Sequence, residues 1–469
     1  MSEPVELHEE IVPVKSRVWV SVADAACAML QALAGSGVLT YYFTRWRGLD
    51  PRLAGTVWIL FGIWNAVNDP LFGYLSDRTK SALGRRKPYI RYGAPIYALA
   101  FIACWVNWPG SGTNQIAMFI QMLLLLFVFD SLYTAIATSI YVMPFEMAVS
   151  NKARSSILIW KIVFAVFPLA VPLVLIPIIQ PGPGDDATMY QLTMTAFGIV
   201  MGALIFFSTW FYEEKHYLKE EQQLPFFQSL KECFTNRSFV LFEVVSFTTI
   251  YVQTGLMQGV LYYFDEIDVS PIPLYDALAV GIVAGLVVFI RQRETWGVKG
   301  SIRILVLVFA MGCFSILLFG RHLVPAMAGM FGFGVGFSGL MYLIPLMNGD
   351  VVDFDEHRTG LRREGMYAGV NSFITKPAIS LAQAIFLWFL GIYGYDQTLG
   401  KGLQSTAAET GILMGWTLVP GVLLFLCFVV LRWYPLAGPE WKAIKEKLAT
   451  IHAKKEADYL AEKGYKVVD

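Results

Sequence analysis

Six ionisable side chains stand inside or at the ends of long apolar runs: Asp24, Asp69, Asp130, Lys161, Glu243 and Lys376. An ionised group in hydrocarbon is costly, so such residues normally face a partner, a water-filled cavity or a bound solute. Asn65 and Asn68 lie one turn or less from Asp69 and add oxygen ligands, a set suited to a coupling cation. Lys376 is the cation set deep in the second half of the chain, close to Asn371, Ser372 and Thr375. Asp24, Asp130 and Lys161 are open to two readings, an internal ion pair or direct contact with a solute. Glu243 lies near the start of its apolar run and is expected in a solvated position.

Twelve runs are long enough to carry these groups across a bilayer, whose core of about 30 Å needs roughly 20 helical residues. They span 18–44, 53–76, 88–108, 115–147, 156–180, 188–213, 239–264, 272–292, 301–320, 323–349, 364–394 and 408–434. Several exceed what the bilayer needs, implying tilt or extension beyond it. The polar stretch 214–238 divides them into two six-helix halves, 1–213 and 239–434, followed by a tail, 435–469. The expected fold is an all-α membrane protein. Of the 36 Lys and Arg residues, only Arg45, Arg47, Arg52, Arg321 and Lys401 fall between spans on the side away from the termini. Positive-inside bias therefore puts both termini in the cytoplasm and the chain in the cytoplasmic membrane. At about 1.5 Å per residue, Asp24, Asp69 and Lys161 lie roughly 10 Å from the cytoplasmic ends. Lys376 lies nearer 20 Å and Asp130 deeper still, on the same scale. Two halves around a midplane site are the plan of a secondary transporter.

Composition agrees with membrane residence. Of 469 residues, 56% are hydrophobic and 15% charged, where a soluble domain carries about a quarter. The formal net charge is +0, which argues against a nucleic-acid or polyanion partner. The first 17 residues contain Glu3, Glu6, Glu9 and Glu10 and lack the basic start of a signal peptide, so the first helix is expected to stay. Five scattered cysteines, Cys27, Cys104, Cys233, Cys313 and Cys427, read as small packing residues.

Some motifs are set aside. Gly334, Gly336 and Gly339 spell GxGxxG, but inside a continuous apolar run with no strand before it they read as a helix-packing face. Asp350, Asp353, Asp355, Glu356 and His357 resemble a metal cluster in composition, yet they precede Arg358, Arg362 and Arg363 and read as helix-end pairing. No hydrolase or Walker motif is present, so the chain is not read as an enzyme or an ATP-driven pump. Most aromatics are expected at lipid or interfacial positions, with Trp64, Tyr133, Trp160 and Tyr367 near the polar helix positions and able to stack on a solute. The tail, with its Lys and Glu residues, reads as a solvated or interfacial helix.

The segment 69–88, DPLFGYLSDRTKSALGRRKP, resembles the signature of the glycoside–pentoside–hexuronide:cation symporters, the melibiose-carrier branch of the major facilitator superfamily. The segment 352–364, VDFDEHRTGLRRE, with Lys376 beyond it, is similar to that family's loop into helix 11 and its lysine. Tyr133-Thr134 adds a match on helix 4. The resemblance implies a cation site at Asn65, Asn68, Asp69 and Thr134, with Asn65 where the family has a second aspartate. One charge fewer weakens the case for Na+ and favours a proton on Asp69. It also implies a cytoplasmic gate from Asp77, Arg78, Gly84, Arg85 and Arg86. The family's sugar-gripping carboxylates fall near Ala28 and near Ile136 or Ala137, so Asp24 and Asp130, one to two turns away, stand as substitutes. Its helix-5 arginine falls at or next to Lys161, which cannot make the same bidentate bonds.

The expected function is cation-coupled symport of a sugar or glycoside by alternating access. Solute contacts are assigned to Lys376, Asn371, Ser372, Asp24, Asp130, Lys161 and Tyr133. The alternatives are an amphipathic or anionic solute such as a lysolipid, and a non-transporting sensor. No cofactor is expected, and no metal beyond a coupling Na+; the coupling ion is Na+ or H+. Expected partners are a small-molecule solute and membrane lipids, with the chain acting as a monomer.

Overall fold

The computed structural model describes residues 11–35, 37–79, 81–108, 110, 112, 114–148, 151–179, 186–214, 226–360 and 363–462, apart from some side chains within them. Those residues are almost entirely helical, with no strand among them. The first expected span is α1 (Val14–Ala34), α2 (Gly37–Tyr41) and a π-helical turn, Tyr42–Trp46. The next five are α3 (Pro51–Arg78), α4 (Lys87–Trp105), α5 (Gln115–Met147), α6 (Asn151–Ile179) and α7 (Thr188–Ser208). A short helix, α8 (Phe226–Thr235), leads to α9 (Arg237–Glu266), whose start is capped by the Asn236 side chain accepting from the Ser238 and Phe239 amides. The eighth and ninth expected spans run together as α10 (Pro271–Phe319). Gly297, at φ 66°, breaks the helical path between them, a conformation that an L side chain rarely adopts. Beyond lie α11 (Leu323–Thr359), α12 (Glu364–Ile392), the twelfth span formed by α13 (Thr406–Leu413) and α14 (Val419–Val430), and α15 (Pro439–Glu462).

Nine described segments are long and apolar enough to cross a membrane; the other three expected spans are α3, α4 and α6. In the first half, α1 packs on α5, α6 and α7, while α4 packs on α5 and α7. In the second, α9 packs on α12 and α14, and α10 on α11 and α14. The halves meet where α3 lies along α12 and where α2 meets α9. Small residues allow that approach: a side chain at Gly62 would strike Ser380, and one at Gly55 would strike Trp388. Likewise Gly334 faces the backbone of α10 directly, so the glycine pattern on α11 serves helix packing. All five cysteines are free and buried.

Two expectations are corrected. Many of the largest aromatics are fully buried, including Trp58, Trp105, Trp416, Tyr97 and Tyr262; aliphatic residues such as Ile159, Ile162, Val163 and Val166 are among the large side chains on the outer face. The tail helix α15 is docked: Trp441 and Leu448 are buried, and Lys445 donates to Asp350 of α11 at 2.6 Å. A free tail would leave that buried carboxylate without its cation.

Candidate functional site

A polar layer crosses the middle of the bundle. Asn68 of α3 is fully buried and its Nδ2 donates to Asp130 Oδ2 and to Thr134 Oγ1 of α5, both at 2.9 Å. From the other half, Lys376 Nζ of α12 donates to the same Thr134 Oγ1 at 3.4 Å. Thr134 is thus touched from both halves. The Oδ1 atoms of Asn65 and Asn68 are buried without a donor among the described residues. Carbonyl oxygens in that condition suit a cation ligand, since each lacks the positive partner that burial demands. Asp69 lies on α3 beside Asn68, but its side chain is outside the described residues.

The other expected solute contacts divide into groups. Asp24 of α1 and Lys161 of α6 form an ion pair at 3.3 Å, with the aspartate side chain 36% exposed and the lysine 13%. Tyr133 is half-buried near Tyr97, with ring centroids 6.5 Å apart. Asn371 and Ser372 are half-buried on α12, and Ser246 Oγ of α9 lies 2.8 Å from the Asn371 amide. Trp64 donates its indole N–H to Ser131 Oγ at 3.0 Å. Tyr367 is not a stacking surface: it is fully buried against Phe239 and accepts from Asn236. Glu243 is also corrected. Its position two turns into α9 faces protein, leaving 5% of it exposed, because α8 and α12 cover that end of the helix.

Sequence reasoning passed over two features of the basic end of the bundle. In the expected gate, Gly84 takes φ +101°, and the backbone N–H groups of Arg85, Arg86 and Lys87 all donate to the Glu214 carboxylate, at 2.7, 2.8 and 2.6 Å. A carboxylate at the start of α4 satisfies orphan amides and the helix dipole together. A side chain at Gly84 would collide with it. Arg85 also reaches Glu146 of α5 at 3.4 Å. The signals were the acid just after the sixth span and the Pro-Phe-Glu ending the fourth. The Asp77 and Arg78 side chains lie outside the described residues. In the acidic cluster of α11, Arg358 and Arg363 pair with Asp355 at 3.4 and 2.8 Å, as helix-end pairing requires.

At the far end of the bundle, Arg45 from the first half is 2% exposed. Its Nη2 lies 3.1 Å from Glu266 Oε1 of α9, and it donates to the carbonyls of Gln397 and Leu399. Glu266 accepts further from Tyr395 and the Gly402 amide, while Lys401 pairs with Asp265 at 2.8 Å. Thr44 and Tyr262 share a hydrogen bond of 2.6 Å, and Arg52 donates to the Gly391 carbonyl at 2.7 Å. The clue was Asp265-Glu266 ending the seventh span opposite the few arginines of that side.

Comparison with known proteins fits this architecture. Residues 20–438 match the family model described as MFS/sugar transport protein. The chain is 25% identical over 447 residues to the uncharacterized symporter YnaJ of Bacillus subtilis (strain 168), covering 92% of this chain and 94% of that one. It is 24% identical over 445 residues to the putative glycoside/cation symporter YagG of Escherichia coli (strain K12), with the same coverage of 92% and 94%. Among solved structures, a mutant form of the nucleoside transporter NupG superposes with a TM-score of 0.63 at 13% identity, covering 88% of this chain and 99% of that one.

Proposed function

This chain belongs to the MFS/sugar transport protein family, a family of multi-pass membrane transporters, and from that premise we propose that it is a cation-coupled symporter of a sugar or glycoside. The observation that carries the reading is Thr134, which receives Asn68 from α3 and Lys376 from α12 on one hydroxyl. Around it, the unpartnered carbonyl oxygens of Asn65 and Asn68 join Asp69 and Thr134 as ligands of the coupling cation, Na+ or H+. Lys376 holds the Asp69 carboxylate in the empty carrier and turns to solute or water once the cation binds. Solute lies against Asn371, Ser372, Tyr133 and Lys376, with the half-buried Asp24–Lys161 pair and Asp130 at its edge.

The halves, 1–213 and 239–434, rock about this layer. The basic end is cytoplasmic and carries both termini. A cation can change which conformer is favoured only if it binds the two with different affinity; losing the Lys376–Thr134 bond across the halves supplies that difference. A thermal-shift screen of purified protein against pentoses, nitrophenyl glycosides and lysolipids, with and without Na+ at two pH values, tests the reading. Stabilisation by a glycoside that grows with Na+ or with acidity is expected. Stabilisation by lysolipids alone, independent of cation, would replace the sugar reading.

A further inference from the structure

Buried acids of the described helices commonly hold a cation: Glu146 meets Arg85, Asp350 meets Lys445, Asp355 meets Arg363 and Glu266 meets Arg45. Glu243 is buried to the same degree, and among the described residues no Lys, Arg or His comes within ion-pair distance of it. Its close polar neighbour is an amide. One terminal atom of Asn371 lies 3.2 and 3.3 Å from the two carboxylate oxygens and 2.8 Å from Ser246 Oγ. Two arrangements satisfy these distances. With nitrogen turned toward the acid, Asn371 donates to an ionised Glu243. With Oδ1 turned toward it, Asn371 accepts from Ser246 and from the O–H of a protonated Glu243, while its Nδ2 faces donors and is left to a solute or water. Which end of the amide faces the acid is therefore tied to the proton.

We propose that Glu243 is a proton-binding site, and that its proton sets which end of the Asn371 amide is left for a solute. An ionised carboxylate in this setting has given up water for one amide, and a buried charge lacking an ionic partner is strongly unfavourable. Taking up a proton removes that charge and keeps the hydrogen bond to the amide, with the acid now the donor. The described titratable groups on this side are Cys233 of α8, with Glu232 and the Asp355–Arg363 pair beyond it. None of them is a cation paired to Glu243. The acid sits about two turns from the basic end of α9, a short path to water. Asn371 lies on the same helix as Lys376, so the switch reaches the polar layer. The proposal relies on the transport reading for its use in coupling; the proton itself can be observed without transport.

Infrared difference spectroscopy of the full-length protein in lipid nanodiscs, stepped in pH from about 5 to about 9, provides the test. A carboxylic-acid carbonyl band present in wild type near neutral pH is expected to be lost in Glu243→Gln, kept in Asp69→Asn and shifted in Asn371→Ala. A Glu243→Gln spectrum identical to wild type overturns the proposal. If Glu243→Gln does not fold, Asn371→Ala decides, and an unshifted band there overturns it. A band lost only in Asp69→Asn puts the proton on α3, contradicting this inference while leaving the transport reading intact.

Discussion

Two regions join the halves through buried polar groups, and they differ in how charge is balanced. At the far end, Glu266 engages Arg45, Tyr395 and the Gly402 amide through both carboxylate oxygens, and Arg45 lies within ion-pair distance of Glu266 and Asp265, although its Nε and Nη2 make no hydrogen bond among the described residues. In the central layer, Asn68 uses its Nδ2 fully but leaves its Oδ1, and that of Asn65, without donors. A buried ion cluster with its partners in place holds one arrangement, because removing one member strands another charge. Buried oxygens with no donor wait for a positive ligand. On the proposed reading, the contrast assigns the far-end cluster to holding a conformer and the layer to responding to what binds.

The largest effect comes from breaking the far-end cluster. Glu266→Ala strands Arg45 and should destabilise the fold by about 3 kcal/mol, read from thermal unfolding in detergent. A double-mutant cycle with Arg45→Ala should show strong coupling between the two. Asn68→Ala acts on the other side of the contrast: cation-driven uptake into vesicles should fall about 10–100-fold, the scale seen when groups orienting metal ligands are lost, while unfolding temperature moves little. A smaller loss follows Glu214→Ala, which frees three amides at the start of α4 and should lower stability by about 1–2 kcal/mol. Smallest is Lys445→Ala. Its side chain is 45% exposed, so water can take its place beside the buried Asp350 and limit the loss to about 1 kcal/mol, seen mainly as faster proteolysis of α15.

Much of this was legible beforehand, for particular reasons. Apolar length marked the spans, since a bilayer permits few alternatives. Asn68 and Lys376 were singled out because polar groups in hydrocarbon require an explanation, and Thr134 through the family resemblance; the structure brings the three into contact. Glu243 was misplaced because depth along a helix says nothing about which neighbours cover it; α8 and α12 do so here. Tyr367 failed for the same reason, its face being set by α9 packing. Glu214 was missed because capping depends on where a distant loop lands, 127 to 129 residues away in sequence. The tail helix read as solvated because Trp441 and Leu448 are few among many charges, and their docking site on α11 is tertiary.

The central claim is that an oxygen cluster on α3 and α5, read by Lys376 from the opposite half, couples a cation to solute movement. Solute accumulation driven by an imposed Na+ or H+ gradient, compared in proteoliposomes of wild type and Asp69→Asn, tests it most directly. Uphill accumulation that collapses to gradient-independent equilibration in the variant is the expected result; accumulation equal to wild type in the variant would contradict the account.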